Sequence, residues 1–270
     1  ESIRKKALER EKIEAGIRTA LKKNELTVFY QPKVDIKSGR IVGSEALLRW
    51  HHPELGAVPP WKFIPVAEEC GLMTSIGEFV LSRSLEDMQT LRREGLDLTV
   101  AVNVAPVQFR SAYFTDRTLG ILGESGFPLD RLEREITESG VMEDPDSVHA
   151  QIAPIKEEGV QFAIDDFGTG YSSLNTLATI PFDTLKIDRS FVMDMAVSED
   201  RRAIVQLILS MAQQLHMRTV AEGIETASQY DHLKAWGATY AQGYLWSPPV
   251  EFGKFRELAA AGRISTTADP

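Results

Sequence analysis

The sequence predicts an α/β protein, a (β/α)8 barrel of the TIM type whose first strand runs antiparallel to its neighbours. Three observations favour this fold over its alternative, a doubly wound open sheet. Eight short runs rich in β-branched and aromatic residues alternate with amphipathic segments, as expected for parallel strands joined by helices. The first two runs flank the turn residues Lys37, Ser38 and Gly39 and so predict an antiparallel hairpin. About 250 of the 270 residues would form the barrel, which allows roughly 31 for each of eight units and suits this fold.

The predicted elements follow in order along the chain. A helix or linker leading from a preceding segment is expected over residues 1–24, with Ile13, Ile17 and Ala20 on its apolar face. The barrel is expected over residues 25–258, and residues 259–270 are predicted to form a flexible tail. The predicted strands lie at residues 26–35, 40–50, 98–104, 132–137, 160–165, 184–187, 218–221 and 238–240.

Two of the later helices carry specific expectations. The helix predicted over residues 147–158 contains Pro154, so we expect a kink or an early break there, because proline removes a backbone donor. The helix predicted over residues 200–217 places several apolar side chains on one face. These residues are Ile204, Leu207, Ile208, Met211 and Leu215.

Composition excludes several classes of protein. The 39 acidic residues outnumber the 30 lysines and arginines, and the net charge of −9 argues against binding to DNA or RNA polymers. Cys70 is the only cysteine, so the sequence has neither a disulfide framework nor a thiolate metal cluster. No apolar run approaches the length of a membrane span. We therefore expect a soluble, cytoplasmic domain, although the parent protein could be attached to a membrane.

Polar side chains occur near the ends of the predicted strands, where the pattern of a barrel core would place apolar ones. About one such residue falls in each βα unit, and in a barrel the carboxyl ends of the strands converge on one mouth. We therefore expect these side chains to lie close together. They are Glu45, Asn103, Glu135, Asp165, Lys186, Glu222 and Gln242.

Several carboxylates in one small volume would repel one another unless a cation lay among them. Oxygen ligands without histidine or cysteine favour Mg²⁺ or Mn²⁺ over zinc. Taken singly, each carboxylate could instead pair with a nearby arginine or cap a helix. Coincidence is improbable for five carboxylates near strand ends, Asp166 beside Asp165 included, so the sequence predicts a divalent metal site.

Asp165 and Asp166 form the most specific pair. Consecutive strand residues point to opposite faces, so both can face the mouth only if the strand ends there. Such a pair is suited to hold two metal ions, the arrangement that clamps the attacking and leaving oxygens in phosphoester cleavage. Gly168 and Gly170 follow as hinges of a mobile loop, and the loop lacks the third glycine of a dinucleotide-binding motif.

Two basic residues complete the pattern. Arg49 follows Glu45 by four positions on the same strand, where it could bind a phosphate or simply pair with Glu45. Lys186, placed among acidic groups, could act as their counter-charge, orient a water molecule or stabilise charge in the transition state.

These motifs resemble the EAL-domain family of cyclic diguanylate (c-di-GMP) phosphodiesterases. The resemblance covers about residues 10–258. It rests on YQP at 30–32, EALLRW at 45–50, NV at 103–104, EITE at 135–138, DDFGTGYSS at 165–173, KID at 186–188, AEG at 221–223 and QG at 242–243. It implies hydrolysis of c-di-GMP to linear pGpG by two-metal attack of an activated water, with Mg²⁺ or Mn²⁺. Ca²⁺ is expected to support binding but only poor catalysis.

The resemblance also implies roles for individual residues. The first metal would be held by Glu45, Asn103, Glu135 and Asp165, and the second by Asp166 and Glu222, with Glu222 as the alternative general base. Lys186 would hold the nucleophilic water and, with Glu45 and Glu222, forms the predicted catalytic set. The substrate would contact Gln31, Leu47, Arg49, Asp188 and Gln242. A regulatory loop would be formed by Glu138, Phe167, Gly168, Thr169 and Gly170.

Other functions remain open from the sequence alone. Some members of the family bind c-di-GMP without cleaving it, so a catalytically silent receptor is the alternative. A metal-dependent lyase or aldolase using Lys186 is a third. As partners, the resemblance implies a homodimer and an N-terminal sensor or GGDEF-type domain in the full protein.

Overall fold

The computed structural model describes residues 2–169, 177 and 179–263, and these residues contain the predicted barrel. The strand β1 pairs antiparallel with β2 on one side and with β9 on the other, which closes the sheet. The other neighbours around the barrel, from β2 to β4 and then in order from β4 to β9, run parallel. The strands are β1 Leu26–Asp35, β2 Ile41–His52, β3 Gly56–Val58, β4 Thr99–Val104, β5 Leu132–Thr137, β6 Gln161–Phe167, β7 Thr184–Ile187, β8 Arg218–Ala221, β9 Tyr240–Ala241 and β10 Val250–Glu251.

The eight-stranded barrel with an antiparallel first strand is thus confirmed. Two short strands were not predicted by the sequence pattern: β3 pairs with the end of β2, and β10 pairs with Phe29 and Tyr30 of β1. The α-helices of the described residues are α1 Ser2–Ala20, α2 Pro60–Glu69, α3 Met73–Arg93, α4 Phe114–Ser125, α5 Glu138–Glu143, α6 Pro145–Glu157, α7 Arg189–Asp194, α8 Glu199–Gln214, α9 Ala227–Ala235 and α10 Phe252–Ala261. None of them is both long and apolar enough to cross a membrane.

Three expectations about the helices need correction. The helix α6 continues past Pro154 to Glu157, so the predicted early break does not occur. The helix α10 ends at Ala261, three residues beyond the predicted barrel boundary at 258. The helix α8 buries Val205, Ile208, Leu209 and Ala212, whereas Leu207 of the predicted apolar face is 70% exposed. Apolar side chains on α8 therefore occupy more of its circumference than one face of the barrel can cover.

The inside of the barrel is polar in two layers. In the lower layer, Lys33 donates to Glu133 over 2.7 Å, and Thr184 donates to the other oxygen of Glu133 over 2.5 Å. Because strand residues alternate between the two faces, Glu135 points inward one layer higher, while Leu132 and Ile136 are buried outside the barrel. Because of this alternation, the side chains of the upper layer lie at the mouth, which the carboxyl ends of the strands form.

Candidate active site

The ammonium group of Lys186 lies at the centre of the mouth. Its Nζ is 2.6 Å from Glu135, 2.8 Å from Glu222, 3.1 Å from Asp165 and 3.6 Å from Glu45. The five residues come from β7, β5, β6 and β2 and from the end of β8, and Lys186 is only 1% exposed. The predicted convergence of strand-end residues is therefore present, with a lysine at its centre.

The strand β6 brings Asp165 and Asp166 to the same site by a β-bulge. Ile164 pairs with Leu185 and Phe167 with Ile187, so β6 has one residue more than β7 over this interval. Asp166 takes up the extra residue with a φ of 54°, which is uncommon for a residue other than glycine. The expectation that the strand ends at Asp165 was wrong, since β6 continues to Phe167.

The donor atoms of the site fit a divalent cation. Carboxylate oxygens of Asp165, Asp166 and Glu222 all lie within 4.8 Å of one another. Beside them, Asn103 is solvent-exposed and donates through its amide to Glu45 over 2.8 Å. Mg²⁺ and Mn²⁺ prefer such oxygen ligands, so this acidic cluster could bind metal.

The pKa values in the cluster are shifted because several carboxylates are buried close together. Burial, together with the neighbouring carboxylates, raises the pKa of Glu222 to about 8 and that of Asp166 to about 6. The pKa of Glu135 is also raised well above its ordinary value by burial. Burial would lower the pKa of Lys186, but the surrounding carboxylates raise it well above the usual value. The site thus strongly favours positive charge.

Two glutamines connect the cluster to β1. The amide nitrogen of Gln242 donates to Glu45 over 2.7 Å and to Gln31 over 2.9 Å. Gln31 in turn donates to the carbonyl oxygen of Ser247 over 3.3 Å and lies opposite Glu45 in the β1–β2 register. Hydrogen bonds from Gln242 and Asn103 help Lys186 to lower the pKa of Glu45 despite its burial. Gln242, Asn103 and Lys186 therefore keep Glu45 in its ionised form.

A cavity of about 300 Å³ adjoins the mouth, and Leu47, Arg49 and Asn103 lie in its wall. Arg49 is half-buried, donates to the carbonyl oxygen of Leu48 over 2.8 Å, and has its guanidinium 5.7 Å from the ring of Phe29. Within the described part of the chain, no ion pair joins Arg49 to Glu45. Arg49 therefore keeps most of its donors available beside the cluster.

The loop after β6 is fastened to α5. Glu138 accepts a hydrogen bond from the backbone nitrogen of Gly168 over 2.8 Å, and Thr169 donates to the carbonyl oxygen of Asp166 over 2.8 Å. Gly168 has a φ of 96°, and an added Cβ would lie 2.8 Å from Phe191, so both conformation and space require glycine. Gly170, the last predicted loop residue, lies outside the described residues.

Comparison with known proteins agrees with this geometry. The EAL domain family matches residues 14–249. The chain belongs to the EAL-domain family.

Several relatives of this EAL domain are known. The Sinorhizobium fredii protein y4lL is 42% identical over 241 residues, which are 89% of this chain and 29% of y4lL. The cyclic di-GMP phosphodiesterase NbdA of Pseudomonas aeruginosa is 38% identical over 253 residues, which are 93% of this chain and 32% of NbdA. This EAL domain therefore spans about a third of the length of these two relatives.

A solved structure is similar over most of the barrel. The PaMucR phosphodiesterase in complex with c-di-GMP matches this EAL domain with a TM-score of 0.87 and 38% sequence identity. The match covers 90% of this chain and 99% of the other. The fold and family are therefore established, and phosphodiesterases that act on or bind c-di-GMP are among the relatives.

Asp188 lies near Asp166 at the mouth of the EAL domain. Asp188 begins α7 and accepts from the backbone nitrogen of Ser190 over 2.9 Å, and its charge helps to raise the pKa of Asp166. The sequence pattern missed the Lys33–Glu133 ion pair beneath the site, and it also missed the contact of Gln31 with Ser247. Both ions of the missed pair lie two positions from predicted site residues, a spacing that could have located them.

Proposed function

We propose that this EAL domain hydrolyses c-di-GMP to linear pGpG with Mg²⁺ or Mn²⁺. The proposal rests on the four carboxylates that surround Lys186. Two of them, Asp165 and Glu222, also lie close to the carboxylate of Asp166. Such a set of oxygen donors is suited to two divalent cations and, through them, to a ligand that carries two phosphodiester charges. The related proteins named as c-di-GMP phosphodiesterases support the substrate class.

The residues of the cluster would have different roles in the reaction. Glu45, Asn103, Glu135 and Asp165 would hold one cation, and Asp166 and Glu222 the other. When bound, the cations would stabilise charge on the phosphoryl oxygens and lower the pKa of the attacking water. Lys186 would hold that water through its ammonium protons, and Glu222, as the alternative to its role as a ligand, would be the general base that accepts the proton.

The substrate would be held by residues around the mouth. Arg49 has free donors for a phosphate oxygen, and Leu47 supplies an apolar wall in the adjacent cavity. Gln31 and Gln242 offer amide groups next to Glu45, and Asp188 lies beside Asp166. Glu138 would govern activity by holding Gly168 of the loop close to Asp166, and the regulatory loop would comprise Phe167, Gly168, Thr169 and, outside the described residues, Gly170.

Schiff-base chemistry at Lys186 is disfavoured by its surroundings. A lysine that attacks a carbonyl must lose its proton, and enzymes achieve this by lowering the pKa of the amine. The carboxylates around Lys186 raise its pKa instead. The lyase or aldolase hypothesis therefore lacks an activated nucleophile.

The direct test is to incubate the purified protein with c-di-GMP and either MgCl₂, MnCl₂ or CaCl₂ and to separate the products by chromatography. We expect pGpG with Mg²⁺ and Mn²⁺, and binding with little product in Ca²⁺. The variant Glu45→Gln preserves the shape of the side chain and should bind substrate without cleaving it. Binding without product in all three metals would support the receptor alternative and contradict the proposed hydrolysis.

For the full protein we propose a cytoplasmic homodimer regulated by an N-terminal sensor or GGDEF-type domain. Exposed apolar side chains support self-association, because Val197 is 85% and Leu207 70% exposed. The much greater length of the relatives supports additional domains.

A further inference from the structure

A buried arginine on the outer side of the barrel has no hydrogen-bond partner for two of its nitrogen atoms among the described residues. Arg134 lies on the outer face of β5, on the same side of the strand as Leu132 and Ile136, and is 1% exposed. Its Nε and Nη1 atoms are buried and form no hydrogen bond within residues 2–169, 177 and 179–263. Such an arrangement is costly, because an unpaired buried charge loses its hydration without compensation.

The side chain of Arg134 reaches a small cavity between α3 and α4. The cavity measures about 10 Å³, which is room for one water molecule or one small ion. Its wall combines apolar side chains, such as Leu81 and Phe114, with polar ones. The polar residues in the wall are Thr74, Glu78, Gln108, Ser111, Arg117 and Thr118.

The charges at this cavity do not balance. The carboxylate of Glu78 is already 2.8 Å from Arg117, so this pair is neutral and leaves the charge of Arg134 uncompensated. Burial alone shifts the pKa of Arg134, to about 10, and no carboxylate opposes that shift. The guanidinium therefore remains charged at neutral pH without a counter-ion from the described part of the chain.

We propose that the cavity between α3 and α4 binds one small inorganic anion of the size of chloride, held by Arg134. An anion neutralises the guanidinium and accepts hydrogen bonds from its Nε and Nη1 groups, whereas a water molecule supplies only the hydrogen bonds. The hydroxyl and amide groups of Thr118, Ser111 and Gln108 provide further donors at the wall. The site lies behind β5, on the opposite face of the strand from Glu135, and is independent of the proposed hydrolysis.

Thermal unfolding of the protein in KCl and in potassium gluconate at equal ionic strength tests the site. Binding to the folded state raises the unfolding temperature, and we expect chloride to raise it by about 3 °C relative to gluconate. The variant Arg134→Met should lose this shift. The control Arg110→Met, which removes an arginine with a 72% exposed side chain, should retain it. No shift in the wild type, or an equal shift in Arg134→Met, would overturn the proposal.

A second experiment does not depend on the folding of the variant. Crystals of the wild-type protein soaked in NaBr should show an anomalous peak within hydrogen-bonding reach of Arg134. Ordered water, or the carboxylate of Glu78 turned inward, at that position would refute the anion site. The variant Glu78→Gln distinguishes the second case, because the proposal expects its chloride response to match that of the wild type.

Discussion

Lys186 and Glu135 form a buried ion pair with 2.6 Å between Nζ and Oε2, and neither side chain is more than 2% exposed. A buried ion pair is tolerated only when each charge keeps its partners. Lys186 also forms ion pairs with Glu45, Asp165 and Glu222, so one positive charge faces four carboxylates. The stability of the mouth therefore depends on positive charge, from the lysine and from any cation that joins it.

Replacement of this charge should destabilise the metal-free protein. We expect Lys186→Met to lower the free energy of unfolding by about 3–5 kcal/mol, because it leaves buried carboxylates unpaired. Mg²⁺ should restore more stability to this variant than to the wild type, since the cluster then lacks its own cation. Chemical denaturation with and without MgCl₂ measures both effects, and pGpG formation should be abolished.

Lys33→Met provides the matched control for Lys186→Met. It breaks the ion pair with Glu133, which is almost as deeply buried and has a similar distance of 2.7 Å, but lies beneath the mouth. We expect a comparable loss of stability that Mg²⁺ does not reverse. An equal Mg²⁺ response in the two variants would contradict a metal site at the upper layer.

Asp166→Asn should separate metal binding from backbone conformation. Asparagine tolerates the positive φ of this position, so the bulge in β6 should persist, whereas Asp166→Ala should be less stable by about 1–2 kcal/mol. Both variants lose a carboxylate of the proposed metal site, and we expect about a 100-fold lower kcat with Mg²⁺. Steady-state kinetics and thermal unfolding together check this prediction. Wild-type kcat in Asp166→Asn would exclude Asp166 as a required ligand.

The hydrogen bond from Gly168 to Glu138 predicts a graded response to substitution. Glu138→Gln retains an acceptor for the backbone nitrogen and should keep most activity, while Glu138→Ala should lose about 10-fold in kcat/KM because the loop beside Asp166 is released. Titration of activity against Mg²⁺ should show a higher half-saturating concentration in the alanine variant. Equal activity of the two variants would mean that this hydrogen bond does not position the loop.

The strands and the identity of the strand-end residues could be predicted from the sequence because both depend on local patterns. Parallel strands with apolar runs are recognisable individually, and a barrel brings their carboxyl ends together whatever the details of register. Glu45, Glu135 and Glu222 therefore meet at Lys186 as expected. Nothing beyond the alternation of strands and helices was needed for that inference.

Features that depend on pairing or packing were not predictable in this way. The bulge at Asp166 depends on how β6 pairs with β7, which no local pattern contains. The buried face of α8 was assigned wrongly because apolar residues occur around much of that helix, and only packing against the barrel selects Val205 over Leu207. The burial of Arg134 likewise follows from strand alternation under α3 and α4 and not from its residue type.

The exposed apolar side chain of Leu207 predicts weaker self-association when it is charged. If the proposed homodimer uses this surface, Leu207→Glu should raise the dimer dissociation constant at least about 10-fold, because it buries a charge without a partner. Sedimentation velocity over a range of concentrations measures this change. Tyr113→Glu, at a 66% exposed position before α4, is the control and should leave the dimer intact. A Leu207→Glu protein that dimerises like the wild type would place the interface elsewhere.

The raised pKa values in the cluster predict how the stability of the metal-free protein changes with pH. Because Asp166 and Glu222 have pKa values of about 6 and about 8 when folded, the folded state holds protons that the unfolded state has already released. Stability should therefore fall as the pH rises from about 5 to 8, by at most about 1.4 kcal/mol per pH unit for each proton. The raised pKa of Lys186 does not oppose this trend, since that contribution is lost only in strongly alkaline solution. Denaturation of EDTA-treated protein at several pH values should show the decline, and Glu222→Gln should reduce it. If the free energy of unfolding of the wild type instead rises over this pH range, the carboxylates ionise in the metal-free protein without destabilising the fold.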